Sequence, residues 1–190
     1  EVTIPESKSE DSPIAPTEVT VRESIKIQSL LAQIGAAMNY NIWVPRSDRA
    51  RVLSDWNGQL METLPINFDE TTIKTIENID VLWFKGKSII RAFEVEHTTS
   101  IYSGILRMAD LMSLQPNIKI KSHIVAPIER RDKVFEEIMR PVFALLDGGP
   151  LSERCSYLSY ESVRDISKQP FLNRMTDSII EDFEDFASEN

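Results

Sequence analysis

The sequence predicts one mixed α/β domain. Apolar residues recur at helical spacing in two stretches, β-rich runs lie between them, and 190 residues suit a single ordinary core. A hydrophobic fraction of 42% belongs to a folded chain rather than a disordered one. No apolar run approaches the roughly 18 residues that span a bilayer, so no membrane partner is expected. The single cysteine, Cys155, excludes an internal disulfide framework. With only His97 and His123 beside it, a zinc cluster is excluded as well. The setting implied is reducing and intracellular, hence cytoplasmic. A first residue of Glu rather than Met is what a piece of a longer protein with other domains would show.

Residues 1–18 combine three prolines with Ser, Glu and Asp and show no periodicity, so they read as a linker or disordered arm. Ile27, Leu30, Leu31, Ile34 and Met38 then recur at spacings of three and four, predicting a helix over 22–38 that Asn39 closes. "YNIWVP" gives a short strand before Pro45. "RSDRAR" follows, grouping Arg46, Arg49 and Arg51. Residues 52–77 read as irregular, with a short helix near 58–64. "IDVLWF" (79–84) and "SIIRAFEVE" (88–96) are strands joined by "KGK", a hairpin signal. Residues 100–114 form a helix with Ile101, Ile105, Met108 and Met112 inward, stopped by Pro116. "IKIKSHIVAP" (118–127) is a further strand, and 129–146 a helix kinked at Pro141. "CSYLSYESV" gives a last short strand. Residues 19–170 make the domain, and 171–190 an acidic, partly helical tail.

The net charge of −9 is concentrated at the ends. Residues 1–18 carry −4 and residues 177–190 carry −6, which leaves about +1 for the body between them. A near-neutral body neither excludes nor demonstrates a basic groove.

The chemistry lies where the second long strand ends. Period two places Glu94 and Glu96 on one face, beyond Ala92 and Ile90. If Lys85-Gly86-Lys87 is a three-residue loop, Asp80 faces Ala92 and lies diagonal to Glu94. An even loop would send Asp80 to the opposite face, since a one-residue slip inverts a strand. Three converging carboxylates repel each other, and a divalent cation resolves the conflict. Mg²⁺ suits such oxygen ligands, with Mn²⁺ as an alternative.

These residues resemble the PD-(D/E)XK, or restriction-endonuclease-like, nucleases. That motif has an acid on one strand, Glu-x-Lys on the next, then a helix and another strand. Asp80 matches the first acid and Glu94 the second, while Glu96 stands where the lysine usually is, a Glu-x-Glu variant. The resemblance covers about residues 22–127. It implies a restriction-endonuclease-like core in α-β-β-β-α-β order, a central mixed sheet flanked by helices. It also implies Mg²⁺-assisted hydrolysis of DNA phosphodiesters by a restriction-type endonuclease. Asp80, Glu94 and the carbonyl of Val95 would hold the ion, and Glu96 would position or deprotonate water. Gln28 resembles the polar residue that the family points at the metal. A homodimer is implied in general terms, because two DNA strands must be cut.

Around that core stand the candidate DNA contacts. Arg107 forms a polar stripe with Ser100, Ser103 and Asp110, facing the direction from which a phosphate would come. Arg46 and Arg49 are loop candidates for the DNA backbone, against a reading as a merely solvated loop. Two alternatives stay open. The acids can be a solvated strand end paired with Arg91 or Arg107. The whole can be an inactive nuclease-fold module that binds DNA or a protein partner.

Overall fold

The computed structural model describes residues 17–96, 101–114, 120–146 and 148–188. The linker read over 1–18 lies outside them apart from its last two residues. Thr17 caps the first helix by accepting the Thr20 amide at 3.3 Å. The helix, α1 (Glu18–Ala37), ends where Asn39 takes a positive φ of 65°. Gly35 allows its close packing: a Cβ there would lie 2.5 Å from the Trp83 indole nitrogen, which donates to Leu31 O at 3.1 Å.

The sheet has five strands in sequence order: β1 (Asn41–Trp43), β2 (Val81–Lys85), β3 (Ser88–Val95), β4 (Lys121–Ala126) and β5 (Cys155–Ser159). The first two pairings are antiparallel and the last two parallel, so the predicted mixed sheet is present. Trp83, Phe93 and Val95 face α1 and α7 (Tyr160–Ser167) on one side. Leu82, Ala92 and Ile124 face α4 (Ile101–Leu114) on the other, where α3 (Glu70–Glu77) and α5 (Arg131–Ile138) join the same core.

Several expectations need correction. The β2–β3 loop is not three residues: Lys85 pairs with Ser88, leaving a two-residue turn in which Gly86 has φ 61°. A register shift at Trp83/Phe84 then adds one residue to β3. The even turn and the bulge offset each other, and Asp80 keeps the face of Glu94. Residues 52–77 are irregular only in their middle, over 56–69. There is no helix near 58–64; instead α2 (Arg49–Asp55) and α3 flank that stretch. The helix read over 129–146 is broken rather than kinked, because Pro141 is the first residue of a separate short helix, α6 (Pro141–Ala144). The last strand stops at Ser159, whose hydroxyl caps α7 by accepting the Ser162 amide.

Residues 172–187 lie against the sheet. Two 3₁₀ turns, Leu172–Arg174 and Asp177–Asp182, lead to a bridge between Asp185 and Tyr157 on the edge strand. Arg91, fully buried on β3, draws this acidic segment in: Asp177 accepts from its Nε at 2.7 Å.

Candidate active site

Two strand ends and one helix assemble the carboxylates. Val81 is in register with Phe93, so one further step along the ladder sets Asp80 beside Glu94. Asp80 Oδ2 accepts the Val95 amide at 2.7 Å, which stitches the start of β2 to the end of β3. The Glu96 amide donates to Val125 O at 2.8 Å and ties the second glutamate to β4. From α4, Arg107 reaches Glu94 with both arms of its fork, Nε to Oε1 at 2.8 Å and Nη2 to Oε2 at 2.5 Å. One turn earlier stands Gly104. A Cβ there would lie 2.1 Å from Glu96 Oε1 and 3.2 Å from Glu94 Cβ, so a glycine lets α4 close over both acids.

The cluster is charged beyond what its surroundings offset. Glu94 is fully buried and Glu96 is 7% exposed. Burial pushes the Asp80 carboxyl up to about 6, against the pull of the Val95 amide and Arg107. Burial and the Asp80 charge push Glu96 up to about 7. Burial first, then Asp80, raises Glu94 well above the usual carboxylate range, with Arg107 opposing. Among the described residues, Glu96 Oε1 is buried without a hydrogen-bond partner.

A cleft of about 550 Å³ opens beside the cluster. Asp80, Arg107 and Asp110 line it together with Ser47, Asp48, Thr71, Lys74 and Thr75 of α3 and Asn78, which caps that helix. Arg107 and Asp110 thus share the polar stripe expected of α4. Ser100, in the same stripe, and His97 lie outside the described residues.

The remaining candidates scatter. Val95 enters through its amide. Gln28 is buried on α1 with Oε1 unpartnered among the described residues, as Glu96 Oε1 is, and no hydrogen bond links the two. Arg49 is occupied by the fold: it donates to Val44 O at 3.0 Å and Met61 O at 2.7 Å and lies over the Trp43 ring. Arg46 is exposed on the turn after β1. The α3 wall escaped sequence reading because ETTIKTIE is short and holds only two apolar residues, Ile73 and Ile76, too few to mark a helix by recurrence. Asp69 was the available signal, since its side chain caps the helix by accepting the Thr71 and Thr72 amides, each at 3.0 Å.

Comparison with known proteins gives the family. Residues 3–189 match the family described as the Type II restriction enzyme NmeDI C-terminal domain. The chain belongs to that family. It is also 32% identical over 170 residues to the Type II restriction enzyme NmeDI of Neisseria meningitidis serogroup C. That match covers 84% of this chain and 46% of the relative, so the chain spans about half the length of the curated protein it matches. No solved structure matches it.

The carboxylates of Asp80 and Glu94 are oxygen donors of the kind that magnesium takes. Among the described residues no three acidic, His or Cys side chains form a ready chelate. Magnesium does not require one, because it keeps several waters and takes one or two carboxylates together with substrate phosphates. Asp80 and Glu94 supply hard oxygen donors, and among the described residues the buried Glu96 Oε1 beside them has no hydrogen-bond partner.

Proposed function

We propose that the domain is a Mg²⁺-dependent DNA endonuclease of the restriction type, acting within a longer chain in the cytoplasm. Its site is read as a Glu-x-Glu variant of PD-(D/E)XK on a restriction-endonuclease-like core. The observation that carries this is the convergence of Asp80, Glu94 and Glu96 with Arg107 beside a polar cleft that Asp80 and Arg107 line, the two glutamates lying buried behind them. Family membership supports it independently. Asp80, Glu94 and the Val95 carbonyl hold the cation, Mn²⁺ being an acceptable substitute. When bound, the cation stabilises the charge that develops on the phosphate. Glu96 positions the attacking water and takes its proton, a role that suits a carboxyl raised to about 7. Gln28 supports the site through its buried amide, and Arg107 orients the phosphate. Arg46 contacts the DNA backbone from the turn beside the cleft, whereas Arg49 supports that turn from within. Two such domains act as a homodimer to cut both strands.

Purified protein incubated with supercoiled plasmid and Mg²⁺ or Mn²⁺ should nick and linearise it. Asp80→Ala and Glu94→Ala should not. Cutting that survives both substitutions would remove the assigned site.

One observation favours a second reading, an inactive module that binds DNA or a protein: Glu94 already has a partner in Arg107. In that case the wild type binds DNA with a steep salt dependence, yet neither binds Mg²⁺ nor cuts.

A further inference from the structure

Arg107 belongs to two environments at once. Its fork holds both oxygens of a fully buried glutamate, yet its side chain is 32% exposed and lines the cleft. One guanidinium there faces three carboxylates, and all three raise its own affinity for a proton. A fork bound to both Glu94 oxygens takes one lone pair of each, so a cation on Glu94 would have to share its oxygens with the guanidinium. A divalent ion beside it would also repel the guanidinium directly. Glu94 therefore does not serve both at full strength.

The cleft offers the displaced group a destination, but it is not basic in itself. Asp48, Asp80 and Asp110 line it against Lys74 and Arg107. Asp48 is matched by Arg51, and Arg107 by Glu94. Among the described residues Lys74 pairs with Glu70, in an exposed i,i+4 pair that holds it weakly. A phosphate approaching the cleft as it stands finds one loosely held cation and uncompensated acids. It finds two cations if Arg107 turns away from Glu94, because a guanidinium fork fits phosphate as well as it fits carboxylate.

The geometry points to an exchange: Arg107 and a divalent cation are alternative partners of Glu94, and the guanidinium released by the cation binds a DNA phosphate in the cleft beside Lys74. This rests on the metal-dependent reading above and adds an order to it, cation first and DNA backbone second. No covalent step is involved.

Titration of chelator-treated protein with Mn²⁺ alone tests the exchange without any cleavage. Arg107→Gln should bind Mn²⁺ more tightly than the wild type by roughly tenfold, the effect of removing one charge-assisted pair. In Ca²⁺, the same variant should bind a mixed-sequence duplex more weakly. The slope of log affinity against log salt should fall by about one as a phosphate contact is lost. Should Arg107→Gln fail to fold by circular dichroism, Arg107→Lys keeps the charge without the fork and should also bind Mn²⁺ more tightly. Mn²⁺ affinity equal to or below that of the wild type in the folded variants overturns the exchange. If Asp80→Asn abolishes Mn²⁺ binding while Arg107→Gln leaves it unchanged, the exchange falls and the metal site stands. If the wild type binds no Mn²⁺ at all, both fall together.

Discussion

Strand β3 carries a buried ionic group on each face, three residues apart, and the two are built to opposite ends. On the α1 side, Arg91 is fully buried and fully matched. It donates to the Asp177 carboxylate at 2.7 Å and the Asp177 carbonyl at 2.8 Å, and it meets His123 Nε2 at 3.1 Å. His123 continues to Ser156 at 2.6 Å, whose hydroxyl donates to Glu184 at 2.8 Å. Burial alone would raise both acids, yet Tyr40 and Arg91 hold Asp177 below its ordinary range, and His123 and Ser156 do the same for Glu184. On the α4 side, Arg107 is set against three acids with Arg130 acting weakly on Glu96, one oxygen has no partner among the described residues, and all three carboxyls are raised. The first cluster stabilises the fold. The second costs stability, and such a cost persists where a site needs its groups unmatched.

The largest expected effect lies in the matched cluster. Arg91→Met removes the partner of Asp177 and should cost about 3–5 kcal/mol, the usual result of breaking a buried pair. Thermal denaturation would show it, while cleavage by the surviving folded fraction should be normal. A small loss would mean that the acidic segment over 172–187 is held by other contacts.

Glu96→Gln should do the reverse, raising stability by about 1–2 kcal/mol at pH 8 while abolishing cleavage. The sign follows from the direction of the shift. A carboxyl raised to about 7 favours folding in its protonated form. That contribution is complete below the ordinary carboxylate value and is lost as pH rises through about 7. Metal-free wild type should therefore lose melting temperature between about pH 5 and pH 8, and Glu96→Gln should flatten the decline. Toward acid the other cluster dominates, because His123, lowered to about 4 chiefly by burial, must be charged there. A wild-type midpoint that rises steadily from pH 5 to pH 8 would contradict the contrast between the clusters.

Gly104→Ala should have the smallest effect on stability. Helix propensity favours alanine by about 1 kcal/mol, and overpacking costs about 1–3 kcal/mol. The net change in melting temperature is small, but the methyl group displaces the Glu96 carboxylate and cleavage should fall. Activity that is unchanged would show that Glu96 needs no fixed position.

The contrast was only half legible in the sequence. Alternation along "RAFEVE" placed Glu94 and Glu96 correctly, because strand period two is a local property. The position of Asp80 came out on the right face by a route the structure corrects. "KGK" was read as the whole loop, and the bulge opposite Trp83/Phe84 that offsets the shorter turn leaves no mark in the residues. Arg107 could be placed on a polar stripe, but its choice between Asp110 and Glu94 depends on how α4 packs on β3. Arg91 and Asp177 are separated by 86 positions, and no local pattern announces such a pair. The α3 wall was missed because its residues are polar for the cleft rather than apolar for the core.

Crystals grown with Mn²⁺ and measured at a wavelength where the ion scatters anomalously test the central claim most directly. The expected result is a peak between the carboxylates of Asp80 and Glu94, within ordinary oxygen-ligand reach, with Arg107 turned into the cleft. No peak at that position, with the Arg107 fork still closed on Glu94 at saturating Mn²⁺, would contradict it.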